Sequence, residues 1–148
     1  MNHQNRMSRG FTLVEILIVV VILGILASIV LPQFSSASET ARSNSTAKLL
    51  HTLRSQLQIY YAHHNNSFPI MGDMWDNMTG TTDMDGTINP DGEFGPYLRL
   101  PPVNPYTSSS TVVPIGEGTD TDGWEYDEAN GAIYAVGFDE DTMSYTDP

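Results

Sequence analysis

The sequence contains one carboxylate, Glu15, inside an apolar run that extends from Phe11 to Leu31. On insertion scales a charge within an apolar span costs roughly 2.5–3.5 kcal/mol, so such a residue usually has a function. If the chain were cut between Gly10 and Phe11, the new α-amine of Phe11 would lie about one helical turn from Glu15. The amine and the carboxylate would then neutralise each other in lipid.

The same carboxylate has a second predicted use, between subunits. In an assembled helix bundle, Glu15 of one chain would pair with the Phe11 amine of its neighbour. Because an unpaired buried charge is strongly destabilising, this pairing would fix the axial register of the two chains. Gly10, Phe11 and Glu15 are therefore the predicted processing and assembly residues.

The residues before the apolar run favour membrane insertion. Residues 1–10 are polar, and Arg6 and Arg9 are their only charged residues. The following run would reach about 31 Å as a helix, roughly one hydrocarbon core. Since the positive residues precede it, the N-terminus is predicted to stay in the cytoplasm, with the rest of the chain outside. A cleaved secretory signal would have a shorter apolar core, and an ordinary anchor would leave Glu15 unexplained.

Acidic residues dominate the second half of the chain, and the formal net charge is −12. Of the 18 acidic residues only Glu15 and Glu39 precede Asp73, and Arg99 is the single basic residue after it. Nucleic acid is therefore not an expected partner, because phosphate binding requires lysine and arginine. The acidic residues are expected to form a solvated face that keeps the domain soluble.

The side chains that commonly carry catalysis do not form a recognisable set. The absence of cysteine excludes disulfides, thiol nucleophiles and cysteine-based zinc sites. No Gly-x-Ser-x-Gly motif or Ser–His–acid arrangement is evident, so an enzyme is not predicted. His51, His63 and His64 are not predicted to bind a metal together, because adjacent helical residues point in different directions.

Asp83 and Asp85 lie in a segment, TDMDGTI, that partly resembles a calcium loop. With both aspartates at ligand positions of an EF-hand, the first and twelfth positions fall on Thr81 and Gly92 instead of the usual carboxylates. The similar segment at 119–124 fails at three positions. Asp83 and Asp85 are therefore secondary candidates for Ca²⁺, and an ordinary Asp-x-Asp-Gly turn is the simpler interpretation.

One long helix over residues 11–64 is predicted to position the N-terminal groups. Its first part, 11–31, is apolar on all sides, and its second part, 32–64, is amphipathic. Pro32 is expected to bend or unwind the helix locally, although a helix that ends at Leu31 and restarts in the following serines also fits. The stripe of the second part, which has a polar gap at 43–46, consists of Ala37, Ala41, Leu50, Leu53, Leu57 and Tyr60 or Tyr61.

The end of this helix has a clear signal. Asn65 and Asn66 suit a left-handed cap, and Pro69 cannot continue a helix, so the end is expected near His64. Three basic residues lie off the apolar stripe and are expected to face solvent: Arg42, Lys48 and Arg54.

Residues 65–148 are predicted to form an acidic, loop-rich globular β domain. Glycine, proline and polar residues make most of 69–95 a predicted loop. Three large residues in that region are expected to cover the helix: Met71, Trp75 and Phe94.

The strands of this domain are predicted to be short. One is expected at 96–100 and an edge strand at 111–115. Alternation in WEYDEANGAIYAV predicts a hairpin over 124–136 that turns at Asn130 and Gly131. The fold class is then α+β, with a long N-terminal helix packed on a small antiparallel sheet.

The segment RGFTLVEILIVVVILGILASIVLP, residues 9–32, resembles the class III signal of type IV pilins and of the pseudopilins of type II secretion. The resemblance implies a pilin-like fold, cleavage after Gly10 by a prepilin peptidase, N-methylation of Phe11, and assembly through Glu15 and Pro32. The matching positions are Gly10, Phe11, Thr12, Leu13 and Glu15, followed by the apolar run and Pro32.

The resemblance also implies a location and partners. It implies a single pass through the bacterial inner membrane with a periplasmic globular domain, followed by extraction into a periplasmic or extracellular filament. The implied partners are the prepilin peptidase, the inner-membrane platform protein, the assembly ATPase, further copies of the chain, minor pilin-like subunits and, before assembly, membrane lipid.

The C-terminal half carries a second resemblance. GPYLRLPPVNPY and GWEYDEANGAIYAV are similar to the C-terminal domain of the major pseudopilins, which bind one Ca²⁺ near the C-terminus. The corresponding stretch here, GFDEDTMSYTD, is shorter than the family pattern and offers Asp139, Glu140 and Asp141 as ligands. Calcium is therefore a candidate cofactor.

Three functions are compatible with these observations. The preferred one is a structural subunit of a type II secretion pseudopilus. The alternatives are a type IV pilus subunit, used in adhesion, motility or DNA uptake, and a membrane-anchored binding module that does not polymerise.

Overall fold

The structure, a computed structural model, describes residues 10–146, without the side chains of Leu31, Pro32, Gln33 and Ser35. The predicted leader, with Arg6 and Arg9, therefore lies outside the described residues except for Gly10. The chain divides into two compact units, Met1–Ser38 and Glu39–Pro148.

The chain combines one long helix with several short elements, which confirms the predicted α+β class. The helices and strands are α1 (Leu13–His63), a 3₁₀ helix (Met71–Asp73), α2 (Met74–Thr79), β1 (Val112–Pro114), β2 (Trp124–Asp127), β3 (Ala132–Ala135), β4 (Phe138–Asp139) and β5 (Ser144–Tyr145).

Helix α1 continues through Pro32. The alternative in which the helix ends at Leu31 and restarts is therefore wrong. A proline removes only one backbone donor, and the helical hydrogen bonds of the neighbouring residues can still form. The predicted bend at Pro32 stays a prediction.

The buried face of α1 in the second unit begins at Ser43, and not at Ala37 as the apolar pattern predicts. Ala37 and Ala41 are exposed, so their predicted place on the stripe is wrong. The predicted polar gap instead supplies two buried residues, because the hydroxyl of Ser43 bonds to Tyr106 and that of Thr46 bonds to the Arg42 carbonyl. The buried positions recur every three or four residues: Ser43, Thr46, Leu50, Leu53, Leu57, Tyr60 and His64.

The predicted end of α1 is confirmed. The helix ends at His63, and Asn65 and Asn66 take φ values of 53° and 61°. Both lie in the left-handed region that asparagine tolerates better than most residues. The Ser67 N–H donates to the His64 carbonyl at 3.0 Å, which closes the turn.

The segment after α1 is more ordered than predicted. The prediction that 69–95 is mostly loop is wrong over Met71–Thr79, which contains the 3₁₀ helix and α2. Met74 and Met78, one helical turn apart, are both buried in the core. A single pair of buried residues is too few to form a clear periodic pattern in the sequence. Of the predicted covering residues, Met71 and Trp75 pack against the core, and Phe94 lies 4.8 Å from the His63 ring.

The predicted strand at 96–100 is not formed. The N–H groups of Tyr97 and Leu98 both donate to the Met78 carbonyl, at 2.9 and 2.8 Å. These donors therefore bind the end of α2 and not a neighbouring strand. Pro96 has no N–H to offer a ladder, and Leu100 is 76% exposed.

The predicted hairpin is confirmed. β2 and β3 are antiparallel, with Trp124 opposite Ala135 and Asp127 opposite Ala132. Gly131 has a φ of 71°, which supplies the left-handed position of the turn. Trp124, Tyr126 and Ile133 are fully buried and pack with α1 in one core.

The main sheet is mixed, with the strand order β1-β2-β3. β1 lies at an edge, as predicted, but it runs parallel to β2, with Val112 opposite Trp124. The prediction of a purely antiparallel sheet is therefore wrong for β1. The connection between these strands is held by Glu125, whose Oε1 accepts the N–H groups of Gly116 and Gly118. A second, unpredicted sheet pairs β4 with β5.

Candidate functional site

The start of α1 is closed by a reciprocal pair, Thr12 and Glu15. The Thr12 N–H and hydroxyl donate to Glu15 Oε2 at 2.9 and 3.0 Å, and the Glu15 N–H donates to the Thr12 hydroxyl at 3.2 Å. This is a capping box, which satisfies donors that the first helical turn otherwise leaves free. Glu15 therefore has a local structural partner before any chain assembles.

The residues at the predicted cut precede this cap directly. Gly10 is exposed, and a Cβ added there would meet no atom within 4 Å. Phe11 is 83% exposed. An exposed, irregular segment can enter the active site of a processing enzyme, which a helical segment cannot do without unwinding.

The helix that follows has no partner within its own unit. Residues Leu13–Val30 form the one described helix long and apolar enough to cross a membrane, and none of this span is buried. An exposed apolar surface of this length needs lipid or other helices around it.

Sequence reasoning missed Thr12 as a capping residue. Glu15 was considered only as a charge that the Phe11 amine would neutralise. The uncut chain has no such amine, so that pairing stays a prediction. The signal was present in the sequence, because Thr-x-x-Glu ahead of an apolar run is the pattern of a capping box.

The acidic residues near the C-terminus lie at the end of β4 and in the turn that leads to β5. Asp139 Oδ1 accepts the N–H groups of Asp141 and Thr142 at 2.8 and 3.3 Å. Hydrogen bonds from Thr142, and then from Asp141, lower the pKa of Asp139. Its carboxylate therefore stabilises its own turn.

Glu140 in the same turn has a cationic partner, Arg54 of α1. The Arg54 guanidinium binds both carboxylate oxygens of Glu140, at 2.6 and 2.7 Å, and donates to the Ile133 carbonyl at 2.8 Å. It also lies over the Tyr134 ring, 5.6 Å from its centroid. The hydrogen bond to Glu140 raises the pKa of Arg54. The expectation that Arg54 simply faces solvent is therefore wrong; its side chain is 40% exposed.

Asp83 and Asp85 also serve local turns. Both carboxylate oxygens of Asp83 lie 3.0–3.1 Å from the side-chain nitrogen of Asn89. Asp85 Oδ1 accepts the Thr87 N–H at 2.9 Å, and this hydrogen bond lowers the pKa of Asp85.

The predicted calcium ligands do not converge. Within residues 10–146, no group of three histidine, aspartate or glutamate side chains is placed to hold a metal ion. Asp139, Glu140 and Asp141 do not fit a site as they stand, because Asp139 caps its turn and Glu140 is bound by Arg54. Calcium binding stays a prediction.

The histidines differ in burial and in their hydrogen-bond partners. His51 is exposed. His63 lies 3.0 Å from the Tyr97 hydroxyl. His64 is buried between the Tyr60 carbonyl and the Thr82 hydroxyl, at 2.8 and 2.9 Å, and it stacks on the Tyr60 ring.

Comparison with known proteins places these features in a family. A family model described as the prokaryotic N-terminal methylation motif matches residues 5–31. Type II secretion system core protein G of Dickeya chrysanthemi is 32% identical over 124 residues, which are 82% of this chain and 78% of that protein. The chain belongs to the type II secretion core protein G family. The resemblance to pseudopilins is thereby confirmed.

Other relatives agree with this assignment. The core protein G of Escherichia coli strain K12 is 28% identical over 112 residues, which are 74% of each chain. The type IV major pilin protein PilE1 of Neisseria gonorrhoeae is 35% identical over 60 residues, which are 40% of this chain and 36% of that protein. The similarity to these two core G proteins extends over about twice as much of the chain as the similarity to this pilin. No solved structure matches the chain significantly.

Proposed function

We propose that this member of the core protein G family is a structural subunit of a type II secretion pseudopilus. The chain is made as a precursor, cut after Gly10 by a prepilin peptidase and methylated on Phe11. It is then assembled into a helical filament through α1. The match to core protein G over most of the chain supports a pseudopilus more than a type IV pilus.

One observation carries the proposal: the wholly exposed apolar span Leu13–Val30 begins three residues after Gly10. A surface of this kind requires an apolar environment at every stage. Lipid provides it before assembly, and the apolar helices of neighbouring subunits provide it in the filament.

Cleavage changes the chemistry beside Glu15. A new α-amine appears on Phe11, next to the Thr12 that already binds the Glu15 carboxylate. The carboxylate has lone pairs beyond those used by Thr12, so it can also accept the amine of its own chain or of a neighbour. Such a pair would compensate both charges in an apolar filament core.

The proposed partners follow from this route. A prepilin peptidase acts on the exposed segment at Gly10, and a platform protein and an assembly ATPase of the inner membrane extract the cut chain. Further copies and minor pilin-like subunits form the filament. The N-terminus is cytoplasmic and the acidic domain periplasmic, and we propose no catalytic role for the chain.

Intact-mass spectrometry of the membrane-extracted protein tests the proposal. The expected mass corresponds to a chain that begins at N-methylated Phe11. A mass that begins at Met1 or Met7 would overturn the processing step and favour a membrane-anchored module that does not polymerise.

A further inference from the structure

A cleft of about 540 Å³ lies between the C-terminal end of α1, helix α2 and the loop at 85–88. Clefts of this size commonly hold a small ligand or an inserted side chain. Every residue that borders it belongs to the second compact unit, Glu39–Pro148. Among the described residues that border the cleft there is no lysine or arginine.

One part of the wall is aromatic and aliphatic. The rings of Tyr60 and His64 stack with their centroids 3.7 Å apart, and Phe68 borders the cleft beside them. Ile70 and Ile88 also border it, and both side chains are exposed. An occupant with an apolar stem would therefore remove apolar surface from water.

The charged part of the wall consists of two carboxylates, Asp73 and Asp85. Asp85 uses Oδ1 to accept the Thr87 N–H, which leaves Oδ2 for a ligand. Asp73 directly precedes α2, but its side chain does not cap the helix, and in the described part of the chain it makes no ion pair. The cleft thus carries two negative charges that no basic side chain compensates.

Asn77 adds an acceptor that is buried and unpartnered. It borders the cleft and is only 4% exposed, and its Oδ1 has no hydrogen-bond partner among the described residues. Buried polar atoms of native proteins almost always have a partner, so an exception points to a missing donor. Asp73 precedes Asn77 by one helical turn, which places both on one side of α2. One donor group in the cleft can therefore serve both.

We propose that this cleft binds an organic cation, a guanidinium or ammonium group on an apolar stem, supplied by an arginine or lysine side chain of a basic partner protein. A guanidinium has five N–H donors for the carboxylates and the Asn77 oxygen, and its stem packs on the aromatic wall. A metal ion fits less well, because no three histidine, aspartate or glutamate side chains converge within residues 10–146.

Charge decides between a basic partner and a second copy of the chain. The formal net charge is −12, so a second copy approaches this acidic cleft against electrostatic repulsion, whereas a basic protein is attracted to it. The inference does not depend on the proposed function, because it concerns only the globular unit.

An NMR titration of the full-length, ¹⁵N-labelled chain in detergent at low ionic strength tests the proposal. The probe is Nα-acetyl-arginine amide, in which the guanidinium is the single charge. Nα-acetyl-citrulline amide, a neutral molecule of nearly the same shape, is the matched probe. We expect the arginine probe to shift the Gly86 N–H and the Asn77 side-chain amide with a Kd of about 1 mM, and the citrulline probe to bind at least about tenfold more weakly. The Gly118 N–H, outside the cleft, should not shift.

Two substitutions of equal charge localise the binding. Asp73→Asn removes a carboxylate of the cleft and should weaken the arginine probe about tenfold. Asp76→Asn, on the same short helix but not bordering the cleft, is the matched control and should bind like the wild type. Equal affinity for the two probes, equal loss in the two variants, or the absence of shifts at Gly86 and Asn77 would overturn the proposal.

A third variant tests the buried acceptor. Asn77→Leu has nearly the same volume and removes the unpartnered oxygen, so the arginine probe should bind more weakly while the melting temperature does not fall. An unchanged Kd in this folded variant would refute the role of Asn77. If circular dichroism shows that the variant is unfolded, the comparison of Asp73→Asn with Asp76→Asn decides, because both positions are exposed.

Sedimentation velocity of the same samples separates the two sources of the cation. The wild type and Asp73→Asn should sediment alike, because a second copy does not fill the cleft. Self-association of the wild type that Asp73→Asn abolishes would assign the cleft to a second copy and overturn the assignment to a basic partner.

Discussion

Ser43, near the start of the globular unit, donates its hydroxyl to the carbonyl of Met143 at 2.6 Å, across a separation of 100 residues. The same hydroxyl lies 2.9 Å from that of Tyr106. Tyr106 in turn stacks on Tyr145 and Phe138 of the C-terminal strands. Helix α1 therefore holds the β4–β5 turn at two points, Ser43 and Arg54.

Ser43→Ala should destabilise the domain by about 1–3 kcal/mol, because it leaves the Met143 carbonyl without its donor in a partly buried site. Thermal unfolding followed by near-ultraviolet circular dichroism in detergent measures the change. Ser45→Ala, at an exposed position of the same helix, serves as the control and should change stability little. Equal melting temperatures for the two variants would contradict the assigned role of Ser43.

Gly10→Val should prevent removal of the leader. A β-branched side chain at the cut would crowd the peptidase pocket, whereas Gly10 offers an open backbone. Mass spectrometry should find only the uncut chain. Ser8→Val, two residues before Gly10, is the control for general changes in the leader and should be processed. Normal processing of Gly10→Val would remove Gly10 from the proposed cleavage site.

Glu15 both caps the start of α1 and carries a charge, and two substitutions separate these two roles. Glu15→Gln keeps an oxygen that can accept from Thr12, whereas Glu15→Ala removes both functions. Both variants should be cut normally, because the cut precedes Glu15. Loss of one member of a buried ion pair costs about 3–5 kcal/mol, so filament yield should fall about a hundredfold or more in both.

A quantitative comparison of sheared filaments checks this prediction. Wild-type filament yield from Glu15→Gln together with a defect in Glu15→Ala would show that the cap matters and the charge does not. Wild-type yield from both variants would remove Glu15 from assembly.

The sequence predicts those parts of the fold that depend on local patterns. Leu50, Leu53, Leu57 and Tyr60 follow a spacing that specifies a helix face, and each is buried. Asn130-Gly131 likewise encodes the hairpin turn within a few residues. The cap at Thr12 was equally local, but it was overlooked because Glu15 was considered only as a charge.

The remaining features depend on residues that are distant in sequence. In the sequence, Ser43 interrupts the apolar stripe. Its role is evident only in the structure, where Tyr106 and Met143 lie beside it. The parallel pairing of β1 depends on how its connection to β2 folds back, which composition does not show. The resemblance to the major pseudopilins implied calcium at the acidic residues near the C-terminus, but the partner of Glu140 is Arg54, 86 residues away.

Stability at low pH should depend on Asp122. Hydrogen bonds from the side chain and then the backbone of Thr119, followed by the Thr111 side chain, lower the pKa of Asp122. A lowered folded-state pKa stabilises the fold above the unfolded pKa, and this contribution is lost as the pH falls through the folded value. The window therefore lies below about pH 4.

Asp122→Asn should therefore make the melting temperature less dependent on pH below about pH 4, since the variant has no carboxylate to titrate. Melting curves recorded between about pH 2 and pH 7 measure the effect, because this range includes the ordinary pKa of aspartate. Asp120→Asn, at an exposed neighbouring position, is the matched control. Identical pH profiles for Asp122→Asn and the wild type would show that Asp122 does not contribute.

Arg54 makes a clear prediction about calcium. A Ca²⁺ ion at Asp139, Glu140 and Asp141 would have to replace the guanidinium, which already binds both oxygens of Glu140. We therefore expect the melting temperature of the wild-type chain to be the same in EDTA and in excess Ca²⁺. In Arg54→Met the freed carboxylates should make stability respond to Ca²⁺, because carboxylate oxygens are its preferred ligands. Arg54→Met with Glu140→Gln is the control and should lose that response. A higher melting temperature of the wild type in Ca²⁺ would instead show that the ion binds despite Arg54, as the sequence resemblance implied.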